Sequence, residues 1–405
     1  MKCKVLSLLL TGFLLVFISF GLCGCWDRIE IEDMLIIVGM AIDCSDDGNS
    51  LVITYQHVIP EGVGGGERTT PARKSPYANT SLEGTSFTET SEILHSIKSR
   101  RPNYEHLMVI ILSDDVARNY DLYQLLNGIL RHSEVPRNAT ILVSEGKARY
   151  FLDVEPNIED IPSSNIMKIS RDTKRKSGMP FVVKLGDLSE KMAAGKSIAV
   201  QRIATRDSIQ LAIDATATGT GYVKEDVYEV RGAAVIRGNP CILAGWLDEK
   251  ETDGINWIME KGDSGVVQGR HEDTGEIVVF RIRSAKTKIK PYMSGGDVSF
   301  IIECEMEGSI TEDWSIGVSS FDEEYIEKVE MVVKKEVEKT MHRAINKIQK
   351  ELNTDVVDFG KKVQIKYPSA WEKIKGDWES IFRDADIDLK VEINIREFER
   401  KGMTK

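Results

Sequence analysis

DEEYIEKVEMVVKKEVEKTMHRAINKIQKEL, Asp322 to Leu352, decides how the C-terminal half of this chain is built. Ile326, Val329, Val333, Val337, Met341, Ile345, Ile348 and Leu352 step by three and four, the spacing of a single helix face. At 1.5 Å per residue such a helix is ~45 Å long. The opposite face is crowded with Lys and Glu, which support a helix at i,i+4. A stripe this long pairs either in a coiled coil or across a sheet of its own domain, and its neighbours favour the sheet. Upstream, EIVVFRIR and DVSFIIECEM read as strands. In the second, Val298, Phe300, Ile302, Cys304 and Met306 alternate onto one face, placing Cys304 in the core as a small hydrophobe. Downstream, Ala370 to Phe382 reads as a shorter helix and IDLKVEINI as an alternating strand.

Toward the N-terminus the pattern changes. Met34 to Ile42 is a continuous apolar run and Leu51 to Ile59 is rich in β-branched and aromatic residues. Turn chemistry at Asp46-Asp47-Gly48-Asn49 joins them as a hairpin. Residues 60 to 84 read as a loop; the Gly62-Val63-Gly64-Gly65-Gly66 run lacks the Lys-Ser/Thr of a phosphate loop. Helices are expected over Thr85 to Ser99 and Tyr120 to Arg131, with strands at His106 to Ser113 and Ala139 to Glu145. Residues 156 to 187 are polar and carry Arg171, Lys174, Arg175, Lys176 and Lys184. They read as a solvated loop or as a patch for anionic headgroups, at about 1 kcal/mol per basic residue. Asp187 to Gly195 reads as a helix with an Asp cap and a Gly stop.

Beyond residue 200, strands are expected at Ile209 to Thr218 and in a hairpin of Ala233 to Ile236 with Ile242 to Trp246. A helix follows from Asp248 to Met259. The fold class expected is α+β: several mixed α/β domains, largely antiparallel sheets, and the long amphipathic helix packed on the C-terminal sheet. Residues 1–24, 25–205 and 206–401 form the expected divisions, the second holding one mixed region or two subdomains.

The start of the chain is a different object. MKCKVLSLLLTGFLLVFISFGLCGC has a basic n-region at Lys2 and Lys4 and an apolar h-region from Val5 to Phe20. It ends Leu22-Cys23-Gly24-Cys25, which fits the lipobox of bacterial lipoproteins. On that resemblance Cys25 receives a diacylglycerol and residues 1–24 are removed as a signal peptide. Each buried methylene contributes roughly 0.8 kcal/mol, and two chains hold stably where one binds marginally. The mature protein is therefore expected at the extracytoplasmic face of a membrane, with no transmembrane helix after residue 24.

Chemistry is sparse. With 405 residues, 41% hydrophobic and 29% charged, the chain has globular composition, and a net charge of −11 argues against nucleic acid as the main partner. Six cysteines are too few for a disulfide scaffold. The histidines show no metal-ligand spacing, and no cofactor is expected. Ser264 with His271 and Asp273 looks like a hydrolase fragment, but a triad needs an oxyanion hole and an oriented base. Loss of a hydrolase activity in Ser264→Ala is the test of that alternative, an exported solute-binding or hydrolytic lipoprotein.

Three stretches carry a resemblance: the lipobox flowing into GCWDRIEIEDM; RGAAVIRGNPCILAGWLDEKETDGINW; and the closing segment from IQKELNTDVVDFG through YPSAW to EINIR. Together they resemble the Ger(x)C family, the lipoprotein C subunits of bacterial spore germinant receptors. The likeness spans nearly the whole chain and is least around Gly64 to Asn79 and Lys174. It implies a non-enzymatic protein of the spore inner membrane, with an A-type and a transporter-like B-type polytopic subunit as partners, needed for germination in response to nutrients. It implies lipidation of Cys25. Trp26, Asp27, Arg231, Gly232, Gly245, Trp246, Asp355, Gly360, Tyr367, Pro368 and Trp378 sit on motif positions, as backbone requirements, core anchors or partner contacts.

Overall fold

The computed structural model of the chain describes residues 12–13, 30–60, 75–172, 178–205, 228–260, 265–315 and 323–398. Cys25, Trp26, Asp27, Ser264 and the strand expected over Ile209 to Thr218 lie outside these.

The first lobe opens with β1 (Met34–Cys44), β2 (Leu51–Val58) and β3 (Tyr77–Gly84), then α1 (Phe87–Ile97) and the short β4 (Arg101–Asn103). β5 (Val109–Ser113), α2 (Asp114–Asn119), α3 (Leu122–Leu130), β6 (Thr140–Ser144), α4 (Arg149–Asp153) and α5 (Pro162–Arg171) follow. The lobe closes with β7 (Val183–Lys184), α6 (Leu185–Ala193), β8 (Ile198–Thr205), β9 (Tyr228–Ile236) and β10 (Leu243–Leu247). The sheet runs β10-β9-β8-β6-β5-β1-β2-β3, with β4 beside β1 and β7 beside β6. Its centre, β8-β6-β5-β1, is parallel, and antiparallel hairpins extend it on both sides.

A parallel centre must be covered on both faces. That is why Met34 to Ile42, most of β1, is apolar without alternation. Met40 and Ile42 face the core of α1, α3 and α6, while Ala41 faces that of α4 and α5. The second helix layer includes a departure from the expected loop over 156 to 187: residues 162–171 form α5. Its buried side chains include Ser163, Asn165 and Ser170, so no apolar stripe announced it. Ser163 satisfies itself through Gln56, whose Oε1 accepts from Ser163 N at 2.9 Å and Oγ at 2.6 Å. α6 likewise begins two residues before the expected Asp187 cap, and Asp187 sits in its first turn.

The second lobe comprises α7 (Glu249–Ile258), β11 (Gly265–Arg270), β12 (Ile277–Ser294), β13 (Asp297–Asp313), α8 (Glu323–Asn346), α9 (Phe359–Lys366), α10 (Pro368–Ile374), α11 (Trp378–Asp384) and β14 (Asp386–Phe398). Its sheet runs β11-β12-β13-β14, antiparallel except for the last pair. α8 lays Val329, Val333, Val337, Met341 and Ile345 into one core with Val278, Phe280, Phe300 and Ile302 of the sheet. The long helix is not uniform: after Asn346 it widens into a π-helical turn, Lys347–Glu351. There Gln349 is buried and its Nε2 donates to Phe382 O at 2.7 Å and Ala385 O at 2.6 Å, tying the turn to the end of α11.

The β9–β10 hairpin belongs to both lobes. Ala234, Ile236 and Leu243 face the first core, while Ala233, Val235 and Leu247 face the second. Alternation along a strand sends successive side chains to opposite faces, so one hairpin closes two cores.

Candidate functional site

The described motif positions fall into two groups, one on the shared hairpin and one at the end of the long helix. On the hairpin, Arg231 pairs with Glu249 at 2.6 Å in the first turn of α7. Gly232 has φ +75°, and a Cβ there would lie 2.6 Å from Leu247 O. Its amide donates to Gly178 O at 2.6 Å, and Gly178 N donates in turn to Asp253 Oδ1 at 2.6 Å. Asp253 is pushed up to about 6 by burial, against the Gly178 hydrogen bond and the nearby Arg231 charge. Trp246 is half-buried on the first core, with the Arg202 guanidinium 5.9 Å from its ring centroid.

The second group is organised by Asp355. Its carboxylate accepts from Phe359 N at 2.9 Å, Gly360 N at 2.8 Å and the Trp378 indole Nε1 at 3.0 Å. The first two are amides of the first turn of α9, which would otherwise have no partner. The third brings in α11 from 18 residues beyond Gly360. Burial drives the Asp355 carboxyl above its ordinary range, although all three donors favour the ionised form. A Cβ on Gly360 would stand 2.8 Å from Trp371 and 2.9 Å from Trp378, so only glycine lets the indoles close over α9. Trp371 and Trp378 meet edge to face at 5.2 Å. Tyr367 ends α9, donating its amide to Val363 O at 2.7 Å, and Pro368 opens α10 at a position needing no N–H. Asp355, Gly360, Tyr367, Pro368 and Trp378 are thus one construction, a three-helix cap.

The two groups meet at Leu352. A Cβ on Gly245 would lie 2.5 Å from Leu352 Cδ2, and Arg237 Nη2 donates to Leu352 O at 3.3 Å. Beside this joint a cleft of about 750 Å³ opens between the lobes, lined by Lys196, Asn239, Asp355, Gly360, Trp371 and Trp378. Asp358 spans it. Its carboxylate stands 3.0 Å from Lys191, in the last turn of α6, and 3.4 Å from Lys196, in the connection from α6 to β8. Burial works against ionisation, but the Lys191 hydrogen bond and the two ammonium charges hold the group below its ordinary value.

Sequence reasoning missed Lys191, Lys196, Gln349, Asp253 and Asp358. Their partners lie up to 167 positions away, and no local pattern signals them. His271, from the hydrolase-like fragment, stacks on Tyr325 at 5.7 Å, and its Nε2 lies 3.3 Å from the Tyr325 hydroxyl. Cys44, Cys241 and Cys304 are buried thiols. Among the described residues no group of three or more His, Cys, Asp or Glu side chains is placed to hold a metal ion, and no helix is long and apolar enough to cross a membrane.

An interlobe joint and an Asp-capped three-helix cap, each lobe built on its own sheet, define a two-lobed mixed α/β protein. Residues 27–205 match the family described as spore germination protein N-terminal domain, and residues 231–399 match spore germination B3/GerAC-like, C-terminal. The chain belongs to the Ger(x)C family of spore germination proteins. It is 27% identical to spore germination protein YndF of Bacillus subtilis (strain 168), over 98% of each chain. It is 28% identical to spore germination protein B3 of the same organism, over 95% of this chain and 97% of that one. The crystal structure of the GerBC protein shares the fold, with a TM-score of 0.58 at 24% identity, over 88% of this chain and 96% of that one.

Proposed function

We propose that this chain is the lipid-anchored subunit of a nutrient germinant receptor. It is held through Cys25 on the extracytoplasmic face of the spore inner membrane, where it assembles with an A-type and a transporter-like B-type polytopic subunit. It acts by binding and assembly rather than catalysis. The observation that carries this reading is order along the chain. A lipobox ending at Cys25 is followed at residue 27 by one half of a spore germination family and at residue 231 by the other.

The shared hairpin suits a signalling component. With β9 and β10 buried in both cores, a load placed on one lobe passes to the other without a flexible linker between them. The Asp358 ion pairs and the Leu352 joint set the angle between lobes, and the cleft beside them is where a partner segment has room to dock.

The test is a strain carrying Cys25→Ala. The expected result is release of the protein from the membrane fraction and a weakened response to nutrients, with the non-nutrient route to germination intact. Full membrane retention of Cys25→Ala contradicts the anchor, and an unchanged nutrient response in a strain lacking the protein contradicts the receptor role.

A further inference from the structure

The lipid anchor proposed above leaves open which side of the protein faces the bilayer, and the topology narrows the choice. β1, β5, β6 and β8 are parallel, so all four begin at one end of the first sheet. The chain enters at that end. Cys25 is five residue steps from Glu30, and at 3.3–3.6 Å each these span no more than ~18 Å. β8 also begins there, about three strand spacings or ~14 Å from β1. Just before β8, Lys196 reaches Asp358 at 3.4 Å, and Asp358 immediately precedes α9. The helical cap therefore stands at the end of the sheet from which the anchor segment leaves.

The outer surface of that cap has an unusual charge for this molecule. The chain carries −11 overall, yet α9 and α10 carry Lys361, Lys362, Lys366 and Lys373 against the one acid Glu372. Glu372 is itself paired with Lys375 at 2.6 Å. Lys361, Lys362 and Lys373 are exposed and form no ion pair among the described residues. Lys362, Ile365 and Lys366 share one helix face by their spacing, and Ile365 is 68% exposed. Beside them Tyr292 is 41% exposed, with Lys366 Nζ 4.4 Å above its ring. Lysines around an exposed aliphatic and an interfacial tyrosine are what a surface resting on headgroups presents.

We propose that this face of α9, formed by Lys361, Lys362, Ile365 and Lys366 with Tyr292 alongside, lies against the anionic phospholipid headgroups of the membrane that holds the anchor. It rests on the lipid-anchor reading. The face orients the receptor subunit, with the β1–β2 turn at Asp46 pointing away from the bilayer.

The test uses the full chain, purified from the membranes of a host that processes bacterial lipoproteins, on phosphatidylcholine vesicles, with or without phosphatidylglycerol, carrying a headgroup-attached nitroxide quencher. A fluorophore is placed at Ile365→Cys or at Asp46→Cys, the second lying beyond the far end of 11-residue β1, ~35 Å away. Cys44, Cys241 and Cys304 are buried and do not compete for the label. Quenching is expected to be several-fold stronger at position 365 than at 46, stronger with phosphatidylglycerol, and reduced several-fold by Lys361→Glu with Lys362→Glu. A chain that floats with the vesicles while position 365 is quenched no more than 46 overturns this face and leaves the anchor standing. That result also fits α9 meeting an acidic protein segment. A chain that does not float overturns the anchor, and this face with it.

Discussion

Asp355 and Trp378, 23 residues apart, are joined by a hydrogen bond of 3.0 Å from the indole Nε1 to a carboxylate that also caps α9. One side chain therefore fixes the start of one helix and the position of another. Asp355→Ala leaves three donors without a partner in a buried place, and should cost about 3–4 kcal/mol. Trp378→Phe removes one donor and keeps much of the ring packing, and should cost about 1–2 kcal/mol. Urea unfolding of both variants checks the order; an Asp355→Ala change under about 1 kcal/mol contradicts the cap.

Gly232 and Gly275 separate backbone freedom from crowding. Both have positive φ, +75° and +73°, but only at Gly232 does a Cβ meet a carbonyl, while at Gly275 nothing stands within 4 Å. Gly275→Ala should cost about 1 kcal/mol and Gly232→Ala roughly 3 kcal/mol or more. Equal losses would mean that the approach to Leu247 O is not tight.

Gly245 and Leu352 form the joint between hairpin and long helix. Gly245→Ala should be destabilising by about 1–3 kcal/mol through overpacking. In a Leu352→Ala background the same change should cost less, a coupling of about 1 kcal/mol or more in a double-mutant cycle. Additive losses would separate the two sites.

Two aspartates give opposite pH dependences. Asp253 has its folded value raised to about 6 from an ordinary 3.8. Its contribution is full below the unfolded value and is lost as pH rises through about 6, on the order of 2–3 kcal/mol. Asp358 is lowered, so its contribution is present above the unfolded value and lost as pH falls below it. Stability measured across acid pH should gain a shallower fall between about pH 4 and 6 in Asp253→Asn, and a shallower acid loss in Asp358→Asn. Profiles that match the parent would contradict both assignments.

The elements legible in the sequence are those with an uninterrupted apolar period. The stripe of α8 and the alternation of Val298 to Met306 could be read directly because each side chain repeats the demand of its neighbours. β12 runs on through Lys286, Lys288 and Lys290, where charge on the solvent face hid the strand beyond Arg283. α9 escaped notice because only Phe359, Gly360 and Val363 are buried, while Ile365 points outward. The hairpin of β9 and β10 was visible, but nothing local says that its neighbour is β8 or that it faces two cores. The motif residues could likewise be located but not explained. The bond from Trp378 to Asp355 and the close approach of Gly245 to Leu352 exist only once distant segments have packed.

The most direct measurement of the central claim is affinity capture of this protein from mild-detergent extracts of dormant-spore inner membranes, with mass spectrometry of what accompanies it. The account predicts recovery of an A-type polytopic subunit and a transporter-like B-type subunit, with Cys25 carrying its lipid. Recovery of this chain alone, from membranes that contain both candidates, would contradict its place in the receptor.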